Sequence, residues 1–426
     1  MKLEEQSTLT TEEPITNEDS RVDEGVRPQS RLKVVLARLS SDRSVRSGLF
    51  AFALTRAIVF TIFIMATQLS FYDNPPKQFG DLQNVRVSLE RVQFARKMRD
   101  LVQRADGNWY LGIARDGYEN APFDATREHN WAFFPVYPLM VRAAALLSGD
   151  YALSAMTLSN LFLLLALVLL HKTALVFGSD EKVADRAVLY AAAFPTSYFF
   201  SVAQTESLFL LLSVGCFYAA RRERWLAAGL TGAIASATRA IGILLLPALI
   251  VLYLQRRRGK FRPWEVACLL LIPTGLLLFM LHLYRLTGNA LAFKDVLVAW
   301  KRSGAFFLTP LYNFMMNPLL VGSYWDFGLL NFSASIMALA CGVVLAVRRE
   351  WALSLYTLGC VLAPLSSSEI GLQSLTRYVM VVFPIFIVLA HFARRAWVDQ
   401  MIRAVFFVLL GLMSAMYALN VSLALS

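Results

Sequence analysis

The sequence predicts an all-α, polytopic membrane protein of about eleven transmembrane helices, and three observations carry that prediction. The hydrophobic fraction is 57%, charged residues are only 17% and the mean hydropathy is +0.52, whereas a soluble domain is about half apolar and about a quarter charged. Apolar runs long enough to cross a bilayer recur along the chain. Arginine and lysine fall in short clusters between those runs, so the net charge of +11 reads as membrane topology and no nucleic-acid partner is expected.

Residues 1–46 read as a disordered cytoplasmic tail: the first 30 are polar and acid-rich, without the apolar centre of a cleaved signal. The first span, Ser47 to Ser70, follows Arg38, Arg43 and Arg46. That basic flank places the N-terminus in the cytoplasm and makes the span an uncleaved anchor. Everything from 47 to 426 then forms one membrane-embedded domain, with 72–150 as a long extracytoplasmic first loop. In this loop Leu82, Val85, Leu89, Val92 and Met98 recur at helical spacing opposite Arg86, Arg91, Arg96, Lys97 and Arg99, the pattern of a helix lying on a membrane surface. So many positive charges outside run against the positive-inside rule, which weakens in loops beyond about 60 residues. Phe133 to Leu147, carrying Pro135, Pro138 and Arg142, suits an outer-surface or re-entrant helix. Tyr151 to Leu175 is the second crossing.

Basic clusters then recur at Lys172 to Arg186, Arg221 to Arg224, Arg256 to Arg262, Arg348-Arg349 and Arg394 to Arg403. Two cytoplasmic flanks require an even number of crossings between them, so each intervening segment is a hairpin with an outward tip. The tips are Tyr198 to Ser207, Thr238 to Gly242, the large loop 287–324 and Ser366 to Tyr378. The large loop holds a second amphipathic stretch at Phe293, Val296, Leu297 and Trp300. A last span, Ala404 to Leu425, leaves the C-terminus outside.

Ionisable side chains inside a span cost about 2.5–3.5 kcal/mol each on insertion scales, so those present have a task or a partner. The tips hold Glu206, Arg239, Glu369 and Arg377, and the first loop holds Asp106, Asp116, Glu128 and His129. Parity puts all of these on one face, and that convergence is the chief functional signal. Each has a plainer reading. Arg239 and Arg377 near span ends suit snorkelling to lipid phosphates, Glu206 suits the positive end of the helix that follows it, and Asp106 before Gly107-Asn108 suits a turn. Arg56 in the first span, the isolated His171, His282 and His391, and Cys216, Cys268, Cys341 and Cys360 read as packing or interface residues. No carboxylate pair has metal-ligand spacing, so neither metal nor other cofactor is expected.

The run Asp106-Gly107-Asn108-Trp109-Tyr110-Leu111-Gly112-Ile113-Ala114, followed by Gly117-Tyr118, resembles the first-loop signature of the PIG-V type mannosyltransferases of the GT-C superfamily. Ala132 to Pro138, Phe194-Pro195, Thr205 to Phe209, Ala237-Thr238-Arg239, Gly288 with Ala292-Phe293 and Trp300, and Ser374, Arg377-Tyr378 and Phe383-Pro384 follow in the family's order. The resemblance covers roughly residues 47 to 395. The chain departs from it at Ala105 and Gln204, where aromatics are common, and at Ala240, where proline is common; these touch the sugar and acceptor more than the superfamily.

The resemblance implies a GT-C-like fold and an inverting transfer of a sugar, foremost mannose, from a polyprenyl-phosphate donor to a lipid or glycan acceptor on the extracytoplasmic face. Asp106 matches the family's first-loop aspartate and would be the general base, since a carboxylate can take the proton of an attacking hydroxyl. Arg377 and Arg239 would bind the donor phosphate, because guanidinium forks match phosphate oxygens. Glu206 would orient the acceptor or hold an arginine, and Trp109, Tyr110, Tyr118 and His129 would line the substrate site. A cell membrane is the expected location. The competing function is a membrane transporter or a flippase for a lipid-linked sugar, but no internal repeat supports it and the polar residues crowd one face. A non-catalytic subunit of the same fold is opposed by the intact Asp106.

Overall fold

The computed structural model describes residues 41–72, 94–257, 261–300, 302, 304–316, 328–367, 372 and 374–420. Glu369, the tail 1–40 and Leu82, Val85, Leu89 and Val92 of the expected surface helix lie outside those residues. Every regular element among the described residues is helical. They are α1 (Arg43–Tyr72), α2 (Gly107–Asp116), α3 (Val136–Ser148), α4 (Tyr151–Val176), α5 (Glu181–Ala193), α6 (Glu206–Arg221), α7 (Trp225–Ser236), α8 (Leu245–Arg257), α9 (Pro263–Leu269) and α10 (Thr274–Thr287). After them come α11 (Ala292–Asp295), α12 (Thr309–Met316), α13 (Gly328–Val347), α14 (Trp351–Leu365), α15 (Leu375–Val379), α16 (Pro384–Phe392) and α17 (Ala396–Ala418).

Among the described residues, five helices are long and apolar enough to cross a bilayer alone: α1, α4, α8 with the 3-10 turn before it, α13 and α17. The pair α9–α10, bent by 43°, makes a sixth if counted as one span. The chain is thus a multi-pass membrane protein. Any further crossings toward the expected eleven would be made by shorter apolar helices such as α7 and α14. The two crossings read first, Ser47 to Ser70 and Tyr151 to Leu175, lie within α1 and α4, and the proline-rich 133–147 stretch forms the 13-residue α3. The last helix starts at Ala396, earlier than the expected Ala404, because Asp399 pairs with Arg403 one turn on and with Arg186, and accepts a 2.6 Å hydrogen bond from Tyr190. Paired in this way, the charged segment is helical rather than a loop.

The basic clusters meet at one end of the bundle. Arg43 heads α1 and reaches Asp185 of α5 at 2.6 Å, and the buried His171 joins Ser44 (3.0 Å) and Asp185 (3.1 Å). Arg221 donates to the Val176 carbonyl, Arg256 to the Arg221 carbonyl, Gln255 to the Arg349 carbonyl, and Ser179 bonds His391. α6 runs from Glu206 to Arg221, 16 residues, so its first turn lies about 24 Å from this end. The break at 194–205, which leads into that turn, therefore sits away from the basic clusters, and the polar network described below gathers beside it.

Helices in lipid associate through close packing, which favours small residues at their crossings. A Cβ on Gly229 of α7 would lie 1.9 Å from the Cys268 carbonyl oxygen, and one on Gly275 of α10 would lie 1.9 Å from that of Ala233. The bend between α9 and α10 falls at Pro273, which has no N–H to continue the ladder. Ser236 of α7 mends it, donating to the Ile272 carbonyl (2.6 Å) and accepting from the Leu276 amide (3.2 Å). Gly275→Leu is expected to force α7 and α10 apart at about 1–3 kcal/mol. A thermal unfolding midpoint in detergent equal to that of the native chain would remove this contact from the account.

Candidate functional site

Asp106 sits where the helical residues 94–103 turn into α2. The turn needs Ala105 in the left-handed region, φ 54°, a conformation that costs a residue with a Cβ about 1 kcal/mol or more and clusters at functional sites. The Ala203 amide donates to the Val102 carbonyl at 3.1 Å, tying this turn to the segment that leads into Glu206. A second left-handed residue, Ser374 with φ 57°, precedes α15 and sets the direction of Arg377.

Arg56, read from sequence as structural, is buried in α1. It donates to the Ser197 carbonyl and Ser201 hydroxyl, both at 2.8 Å, to the Ser197 hydroxyl at 2.9 Å and to the Ala192 carbonyl at 3.2 Å. One guanidinium thus pins the 3-10 turn Ser197–Ser201 that delivers Gln204, Thr205 and Glu206.

Arg377 is the hub. Its Nη1 donates to Asp106 Oδ2 at 2.6 Å, its Nε to Glu206 Oε1 at 2.5 Å and its Nη2 to Gln204 Oε1 at 2.6 Å, and its guanidinium lies 4.8 Å from the Phe199 ring centroid. Arg239 Nη1 donates to the same Glu206 Oε1 at 2.7 Å and to the Thr205 hydroxyl at 3.3 Å. The Tyr110 hydroxyl lies 3.5 Å from that of Thr205. The Glu206 side chain is 0% exposed while Asp106 is 36% exposed. The network therefore has a closed interior and presents one carboxylate outward. Glu206 heads α6, where the helix dipole favours its charge, and both arginines bond its Oε1.

Beside this hub lies a second cationic group. Arg302 Nη1 donates to the Tyr378 hydroxyl at 2.8 Å, and the Arg302 and Arg239 guanidiniums stand 5.8 and 5.2 Å from the Tyr378 ring centroid. Burial raises the Tyr378 phenol, but the charge of Arg302, and then that of Arg239, outweighs burial and holds it below its ordinary value.

Asp106, Glu206, Arg239, Arg377 and Tyr110 are thus brought together. Trp109 stacks on Phe133 (5.6 Å, 15°) and meets Trp300 edge-on (6.0 Å). Tyr118 donates to the Phe133 carbonyl at 2.6 Å. His129 is joined to a different group: its Nδ1 is 2.6 Å from Glu119 and its ring stacks on Trp131 at 3.9 Å. Val296 of the second amphipathic stretch is buried and Phe293 packs against Phe134 at 5.5 Å, so that apolar face covers first-loop aromatics. Among the described residues no three His, Cys, Asp or Glu side chains converge as metal ligands. Arg302 and Gln204 were not singled out as site residues. The available signal for Arg302 was a basic residue in a loop expected outside, against the positive-inside rule.

Fold and network define a helical membrane protein with one polar centre at the end of the bundle away from its basic clusters. The model of the mannosyltransferase (PIG-V) family matches residues 46–332, and the chain belongs to that family. Asp106, Glu206, Arg239 and Arg302 fall inside the matched span. The GPI alpha-1,6-mannosyltransferase 2 of Rattus norvegicus is 26% identical over 264 residues, 54% of this chain and 52% of that protein. That of Cricetulus griseus is 32% identical over 153 residues, 33% of this chain and 29% of that protein. The chain thus spans about half or less of the curated relatives it matches. Among solved structures, ArnT of Cupriavidus metallidurans bound to undecaprenyl phosphate is similar at 15% identity and a TM-score of 0.46, covering 76% of this chain and 63% of that one. The apo oligosaccharyltransferase of Archaeoglobus fulgidus is similar at 10% identity and a TM-score of 0.46, covering 86% and 56%.

Proposed function

We propose that this protein is an inverting membrane glycosyltransferase that moves mannose from a polyprenyl-phosphate donor to a hydroxyl of a lipid or glycan acceptor. The observation that carries the reading is the half-open Asp106 carboxylate, fastened by Arg377 to a buried network and adjoining guanidinium groups. In this reading Asp106 takes the proton of the acceptor hydroxyl as its oxygen attacks the anomeric carbon. The bond from that carbon to the phosphate oxygen breaks, and its electron pair leaves on the phosphate.

Three N–H groups of Arg377 already serve Asp106, Glu206 and Gln204. We therefore assign Arg377 to holding the base and give the departing phosphate to Arg239 and Arg302. The extracytoplasmic placement of the site and a cytoplasmic N-terminus are part of the proposal. The gathering of the basic clusters at the opposite end supports them.

The test is transfer by the purified chain, reconstituted with polyprenyl-phosphate mannose and native membrane lipids. A new mannosyl glycolipid supports the reading, and movement of the donor across the bilayer with no new glycosidic bond favours the flippase. A charge-assisted contact is worth about 1.5–3 kcal/mol. Arg302→Gln is thus expected to raise the donor KM by about 10- to 100-fold. An unaltered donor KM would take Arg302 out of the phosphate site.

A further inference from the structure

α2 follows Asp106 and has an outward stripe whose last residue, Asp116, pairs with Arg115. Asn108, Gly112 and Asp116 recur every four residues along it. Two cavities open on this stripe. One of about 520 Å³ is walled by Trp109, Tyr118 and Glu119, and one of about 360 Å³ lies on the Arg99, Gln103 and Arg115 side. Asn108 and Gly112 line both, so the two are halves of one groove that begins within a turn of Asp106. Volumes of this order are typical of small-molecule sites, about 300–1,000 Å³.

The walls of the larger half are braced. Asn130 accepts from the Glu119 amide and donates to the Gly117 carbonyl, both at 3.1 Å, fixing the loop that carries Tyr118 and Glu119. His129, itself clamped on Trp131, holds one Glu119 oxygen at 2.6 Å. The Tyr118 ring packs on Phe279 and His282 at 5.7 and 5.5 Å. Fixed aromatic rings beside a fixed carboxylate and an amide suit a polyhydroxylated ring, whose C–H faces lie on the aromatics and whose hydroxyls bond the polar groups.

The floor is the unexpected part. A Cβ built on Gly112 meets nothing within 4 Å among the described residues. Glycine in a helix interior costs about 0.5–1 kcal/mol relative to alanine, and no packing among the described residues asks for it here.

We propose that this groove binds the sugar of the acceptor, with Gly112 limiting how closely that sugar approaches the helix and hence which acceptors reach Asp106. The inference rests on the transferase reading, and the experiment separates the two. Native chain, Gly112→Ala and Gly112→Leu are compared as full-length protein with polyprenyl-phosphate mannose and native membrane lipid extract. Transfer, binding of radiolabelled donor and thermal unfolding are followed for each. Gly112→Ala is expected to fold at least as well as the native chain. Gly112→Leu is expected to bind donor normally yet lose about 100-fold in transfer, the effect of holding reacting groups about 1 Å out of place.

Native-like transfer by Gly112→Leu would overturn the groove assignment and leave the transferase reading standing. Loss of donor binding or folding together with transfer would overturn it as well. No transfer by the native chain, with donor bound, would overturn both.

Discussion

Asp106→Asn is expected to lower transfer by about 10²- to 10⁴-fold, the usual contribution of a positioned general base, while leaving the chain folded. The amide keeps the size of the carboxylate, and its oxygen can still accept the 2.6 Å hydrogen bond from Arg377. It cannot take a proton from an acceptor hydroxyl. Binding of the donor, measured with radiolabelled polyprenyl-phosphate mannose, should change little, because the guanidinium groups assigned to the phosphate are untouched. A variant that transfers at the native rate would remove Asp106 from the chemistry and return it to the plainer role of a turn residue.

Arg377→Met should be the most damaging single change to the structure. Glu206 is fully buried and shares one oxygen between Arg377 and Arg239. Removing one of two cations from a buried carboxylate typically costs about 3–5 kcal/mol, and here it also frees Asp106 and the Gln204 carbonyl. A large fall in the unfolding midpoint and loss of transfer are expected together. Arg377→Lys should rescue only part, since one ammonium cannot reach three acceptors in the directions a planar guanidinium does. Arg239 still pairs with Glu206 in the Arg377→Met variant, so the double variant Arg377→Met with Glu206→Gln, which strands the Arg239 charge, should be less stable than Arg377→Met alone. Were the two substitutions simply additive, the buried pair would not be the reason for the loss.

Much of the architecture was legible along the chain. The first two crossings were read to within a few residues because apolar length is a local property, and because Arg38, Arg43 and Arg46 mark where the first begins. The short α3 was legible from Pro135 and Pro138, and the chain breaks at 198–207 and 238–242 from the polar residues they hold. The start of α17 was misplaced because its charges are neutralised by partners on α5, which no local pattern reveals. The number of crossings was least legible, since α7, α9 and α14 are shorter than a full span and their role depends on neighbours.

For the polar centre, the sequence by itself singled out Asp106, Glu206, Arg239 and Arg377, which are costly in a membrane protein and lie at or next to breaks between helices, and the structure joins them. Tertiary structure alone decided the partners. Asp106 and Arg377 are 271 residues apart, and whether a guanidinium meets a carboxylate or stays available for a phosphate depends on angles and ångströms that spacing does not encode. That is why Arg377 is bonded to Asp106, Glu206 and Gln204, Arg302 stands beside Arg239 at Tyr378, and His129 went to Glu119 and Trp131. Side-chain type and helix length are properties of one residue or one segment, whereas hydrogen-bond partnership is a property of the packed whole.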